Sequence, residues 1–188
     1  SYVTMHSTAV ECHEMVIDAG CHTLDHGIYL SQENVDAIVK KGYKTNLVPT
    51  LAVSYVGYKD GWPTYDVCHP GAGNGMKMAH DAGVLVGFGT DDFQKDFKKM
   101  PAVEWIARSE FGLSNIEILK QATINSAQIC LMDKKRGSIK VGKIADFAVI
   151  DGKPDEDLTV FNQPCAYVIK NGQVVAREGV VLTAEVKY

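Results

Sequence analysis

The sequence predicts an α/β fold in two parts, β/α units first and a run of short strands after them. Three observations carry this. Short apolar runs at 2–5, 21–25, 44–48 and 84–88 alternate with amphipathic stretches, in units of roughly 20–40 residues. Glycines stand where the intervening helices should stop, at Gly20, Gly42 and Gly83. From Gly137 onward the pattern changes to short strands with tight turns. Four β/α units make half of a (β/α)8 barrel or a small open α/β sheet.

Taken in order, the run at 2–5 reads as a strand ending at His6, and residues 9–19 as a helix with Val10, Met15, Val16 and Ala19 near one face. Residues 21–25 form the next strand, ending at His26. Ser31 is placed to cap a helix carrying Val35, Ile38 and Val39. Residues 44–48 form a third strand, closed by Pro49. A long connection over 50–73, rich in Gly, Pro, Tyr and Trp, reads as a functional loop or lid, with a helix of about two turns before Gly83. The apolar stretch "VLVGFGT" is the fourth strand, ending at Asp91. Two helices follow; the second opens with Ser114 and Glu117 at capping-box spacing and runs to about residue 131. Strands at 145–151, 166–170 and 173–177 complete the chain, the last two joined by the hairpin signal Asn171-Gly172. The charged "DKKRG" marks a boundary, giving units of 1–135 and 136–188.

Composition narrows the function classes. With 188 residues, 46% hydrophobic and 22% charged, the chain can bury a core. A net charge of −4 offers no electrostatic attraction for nucleic acid or an anionic membrane. No apolar run approaches the ~20 residues of a membrane span. Five dispersed cysteines without CxxC spacing argue against a disulfide framework and for a reducing compartment, the cytoplasm.

In parallel β/α folds, ligands gather at the carboxyl ends of the strands. Three of the four strands deliver a metal-competent side chain there: His6, His26 and Asp91. Imidazole and carboxylate together suit zinc and similar ions. A lone strand-end histidine is more often structural than a ligand, and Asp91 or Asp92 could instead cap the following helix. His22 lies about 13 Å from His26 along an extended strand, at ~3.3 Å per residue, and so belongs to the opposite end of the sheet. His13 and His80 fall on helices and are expected to be solvated. His69 falls in the long loop, where it could face a substrate.

The stretches "MHSTAVECHEMVIDAGCHTLDHGIYL", "GVLVGFGTDD", "EILKQATINSAQICLMDKKRGSIKVGKIADFAVIDGKPDEDL" and "VIKNGQVV" resemble successive blocks of the amidohydrolase superfamily. The resemblance lies toward its imidazolonepropionase-like enzymes and metal-dependent Xaa-Pro or Xaa-Arg dipeptidases. It implies strands 5–8, the C-terminal half of a (β/α)8 barrel, followed by part of a small β-sandwich. It implies one or two divalent ions, zinc foremost, with His6, His26 and Asp91 as metal ligands. Asp91 would also take the proton of the attacking water. The family's first-strand HxH pair is absent from this sequence, as are the strands before the fifth. The resemblance therefore implies a missing N-terminal half, or a partner chain supplying it.

The activity expected on this basis is hydrolysis of a C–N bond in a small amide or peptide, such as a dipeptide or N-acyl amino acid. The alternatives are a mononuclear deaminase or cyclic-amide hydrolase, and a non-catalytic fragment that needs its other half. The complete enzyme is expected to be a homo-oligomer. With the true N-terminus read as absent, a secreted or periplasmic location stays open beside the cytoplasm.

Overall fold

The fold is that of a computed structural model describing residues 2–91 and 102–182. Strands β1 (Thr4–Ser7), β2 (Thr23–His26) and β3 (Asn46–Val48) form a parallel sheet in that order. Helices α1 (Val10–Asp18) and α2 (Gln32–Lys40) make the crossovers. Ser31 caps α2 by accepting from the Asn34 backbone N–H, and the Asn34 side chain returns a bond to the Ser31 N–H.

The fourth predicted strand is reduced to one parallel bridge, Leu47 with Val86. Leu47 N–H donates to Leu85 O, and Gly87 N–H donates to Leu47 O. The far edge of this segment is met by helix side chains: Asn125 Nδ2 donates to Val86 O, and Phe88 N–H donates to Ser126 Oγ. Backbone groups that a further strand would satisfy are thus satisfied locally. The sheet is open, not a closed barrel.

The long connection is not a loop. It folds into α3 (Leu51–Lys59) and α4 (Tyr65–Asp81). The glycines that argue against helix serve close packing instead. A Cβ on Gly73 would stand 2.1 Å from the Phe111 ring, and the Tyr65 ring lies against Gly57. Tertiary packing outweighs the low intrinsic propensity of Gly and of Pro70 within α4.

Helices α5 (Val103–Ser109), α6 (Asn115–Lys120) and α7 (Ser126–Ile129) follow, with a π-helical turn at Gln121–Asn125 joining the last two. The Ser114–Glu117 capping box forms as its spacing indicates. Asp92, and the start of the first helix expected after it, lie outside the described residues. A separate antiparallel sheet has the order β4 (Phe147–Val149), β5 (Tyr167–Lys170), β6 (Gln173–Arg177), β7 (Val180–Val181). Asn171 and Gly172, at φ 51° and 78°, turn β5 into β6.

The core lies between the parallel sheet and its helices, with Leu24, Leu47, Val35, Ile38, Met76 and Ile118 at 1% exposure or less. Between α6–α7 and the antiparallel sheet runs a groove of about 770 Å³. Among the described residues, no helix is long and apolar enough to cross a membrane. The five cysteines are unpaired.

Candidate functional site

The carboxyl end of the parallel sheet brings the three sequence-predicted residues into one neighbourhood. His26 Nε2 lies 2.7 Å from His6 Nδ1. Asp91 Oδ2 lies 3.9 Å from His26 Nδ1. The other partner of His26 Nδ1 is Thr50 Oγ1, at 2.6 Å. With Nδ1–H donating to Thr50, Nε2 presents its lone pair toward His6. The hydroxyl fixes the orientation of the ring, as outer-sphere partners of ligating histidines do.

Local backbone explains how these rings meet. In register, His6 pairs with Asp25 and Ser7 with His26. Regular strands would therefore aim the two histidines at opposite faces. His26 escapes this with φ 73°, and Gly27 follows at φ 59°. A Cβ on Gly27 would come within 2.7 Å of Leu47 Cδ1, so the turn requires glycine. Thr50 and Asp91 are also left-handed, at φ 39° and 49°. Such conformations cost about 1–3 kcal/mol each, most for a β-branched residue, and persist where the surroundings enforce them.

Burial holds the His26 pKa below its usual value. His6 adds to the depression, while Asp91 and Asp25 oppose it. The ring is 10% exposed and the Asp91 side chain 47%, so the site has a dry side and a wet side.

The remaining histidines fall elsewhere. His22 Nε2 bonds Ile129 O at 2.7 Å, away from His26, as the strand geometry requires. His13 is not solvated: it is fully buried, with Nε2 facing Ser7 O at 3.4 Å, because α1 turns it toward the sheet. His69 does not face the site mouth either. It sits 2% exposed on α4 among the Tyr55, Tyr58 and Phe111 rings, with Nδ1 bonded to Ser54 Oγ. His80 is half-buried against Glu117. Thr50 is the residue that sequence reasoning missed. Its position just past the third strand, equivalent to those of the other site residues, was the available signal.

Two imidazoles and a carboxylate suit a divalent ion in donor chemistry. Two nitrogens on one tetrahedral zinc would stand about 3.4 Å apart, given ~2.1 Å bonds. The 2.7 Å between these rings is a hydrogen-bond spacing. Asp91 lies toward Nδ1 rather than between the rings. Among the described residues no group of three His, Cys, Asp or Glu side chains is already arranged around one ion. The donors fit, and their present arrangement is a hydrogen-bonded string from His6 through His26 to Thr50.

Comparison with known proteins places this geometry in context. The chain is 27% identical over 171 residues to an imidazolonepropionase of Brevibacillus brevis, covering 88% of this chain and 37% of that protein. The crystal structure of a Xaa-Pro dipeptidase with methionine in its active site superposes with a TM-score of 0.79 at 28% identity. That match covers 92% of this chain and 44% of the dipeptidase. A prolidase complexed with N-methylphosphonate-L-proline gives a TM-score of 0.80 at 29% identity, covering 94% and 45%. The chain thus spans less than half the length of these relatives. Members of the family they share are generally metal-dependent. The amidohydrolase family profile matches residues 4–175, and the chain belongs to the amidohydrolase family.

Proposed function

We propose that this chain is the metal-holding, proton-transferring half of a hydrolase that cleaves a C–N bond in a small amide, a dipeptide or an N-acyl amino acid. The observation that carries the reading is the meeting of His6, His26 and Asp91 at one end of the parallel sheet. His6 and His26 would hold a divalent ion, zinc foremost, with Asp91 beside it. When bound, such an ion supplies hydroxide near neutral pH and polarises the substrate carbonyl. Asp91, on the exposed side of the site, accepts the proton of the attacking water and returns it to the leaving amine. Thr50 keeps the His26 ring oriented.

In this reading residues 1–135 are half of a barrel, and 136–188 are strands of a smaller domain. The HxH-bearing half comes from a preceding segment or a partner chain, and the whole assembles as a homo-oligomer. Similarity to imidazolonepropionase favours a second reading, a cyclic-amide hydrolase using one ion. Assay of the completed enzyme on a Xaa-Pro dipeptide and on a cyclic amide separates the two. In that enzyme Asp91→Asn abolishes turnover and leaves bound metal largely in place. Turnover within a few-fold of the parent would contradict the proton-transfer role.

A further inference from the structure

Helix α3 begins directly after Thr50, so Thr50 occupies its N-cap position. A threonine there ordinarily turns its hydroxyl onto its own helix, accepting from an exposed N–H of the first turn. Thr50 makes no such bond. Its hydroxyl points to His26 instead. The first-turn N–H of Ala52 is met from 52 residues away: Glu104 Oε2 accepts it at 2.5 Å. Glu104 is 1% exposed, and a carboxylate so buried requires a counter-charge. Arg108, wholly buried one turn along α5, donates Nε to Glu104 Oε1 at 2.6 Å. Its Nη1 donates to Gly87 O at 2.9 Å and to Gln121 Oε1 at 2.6 Å. The pair therefore grips the start of α3, beside Thr50, and the segment that leads to Asp91.

We infer that Glu104 is a positioning residue for the site, capping α3 in Thr50's stead so that the Thr50 hydroxyl is free to fix His26, with Arg108 as its buried counter-ion. Thr50, left-handed at φ 39°, lacks the extended backbone from which a cap residue reaches its own first turn, so the Ala52 N–H needs the outside acceptor that Glu104 supplies. The inference deepens the proposed function and rests on that reading where metal affinity is concerned; the hydrogen-bond geometry stands without it.

The test uses the full chain, with ¹⁵N-edited NMR of the histidine rings as the site readout and zinc titration as the second. Glu104→Leu combined with Arg108→Met removes both charges together, a replacement that folded proteins often tolerate. Glu104→Gln keeps an oxygen for Ala52 N–H. In the double variant we expect the hydrogen-bonded Nδ1 signal of His26 to be lost while the His22 ring, bonded to Ile129 O, is unchanged. Zinc affinity should fall about 10- to 100-fold, the usual effect of removing an outer-sphere partner. Glu104→Gln should recover part of the His26 signal. An unmoved His26 ring in the folded double variant would overturn the inference. So would unfolding of both variants, since the pair would then serve the whole fold. A parent chain that binds no zinc, with the His26 signal still lost in the variant, would refute the metal reading and leave the positioning role standing.

Discussion

In the parallel sheet Leu24 and Leu47 are 0% and 1% exposed, whereas in the antiparallel sheet Val174 is 43% and Val180 62% exposed. The first sheet shares one apolar core with its crossover helices. In the second, only Phe147 and Ala148 of β4 reach the 770 Å³ groove, and the outer strands stand largely in water. The backbone differs in the same sense. In the antiparallel sheet the left-handed residues are Asn171 and Gly172 at one hairpin and Glu178 and Gly179 at the next, where tight turns call for them. At the end of the parallel sheet they include the non-glycine residues His26, Thr50 and Asp91, all three of them at the candidate site. The strained His26 and Thr50 are both buried, so the packing around them enforces their conformations.

Core truncation should separate the regions most. Leu24→Ala is expected to destabilise by about 2–5 kcal/mol. Val180→Ala should stay within about 0.5 kcal/mol. Urea unfolding of the two variants measures the contrast, and equal losses would break it. Next comes Thr50→Val, which keeps the shape and removes the hydroxyl. It should cost about 1–3 kcal/mol through the unpaired His26 nitrogen, with weaker zinc binding in titration. His22→Ala should leave zinc affinity unchanged.

Smaller again is the pH response. Burial lowers the pKa of His13 and His69 below 6.5. Both stay neutral in the folded chain at pH values where the unfolded chain has begun to bind protons. Their contribution is complete above pH 6.5 and is lost as pH falls through it toward their folded values. The melting temperature should therefore fall between pH 7 and 5, and His69→Gln should flatten that fall. The smallest effect belongs to Ser114→Ala, about 1 kcal/mol from the lost cap. The Ser114 hydroxyl and N–H, with His80, push the Glu117 pKa down to about 2. Carboxyl NMR titration should find it moved up toward 4.5 in the variant.

How legible each part was follows from how local its causes are. β1, β2, α1 and α2 were readable because each is written in its own residues: periodic apolar faces, the Ser31 cap, glycines at the stops. The two turns of α4 before Gly83 were readable too, but α3 and the start of α4 were not, because Gly57 and Gly73 read as breakers until the Tyr65 and Phe111 rings that fill their places are known. The strand over 84–90 was overestimated from its apolarity, since its neighbours on one side are the Asn125 and Ser126 side chains. Within the site, His6, His26 and Asp91 were found by their position at strand ends. Thr50 was not, because its role depends on a left-handed turn and on a glutamate 54 residues further on. His13 was misjudged because a helical histidine gives no sign of which face will be covered.

The central claim is that His6, His26 and Asp91 serve one divalent ion. The most direct measurement is the visible absorption of cobalt(II) added to the chain, a spectrum set by its ligands. The account predicts bands that saturate at stoichiometric cobalt, are displaced by zinc, and are lost or altered in His6→Ala, His26→Ala and Asp91→Asn but not in His22→Ala. A spectrum identical to that of free cobalt, or one indifferent to all three substitutions, would contradict it.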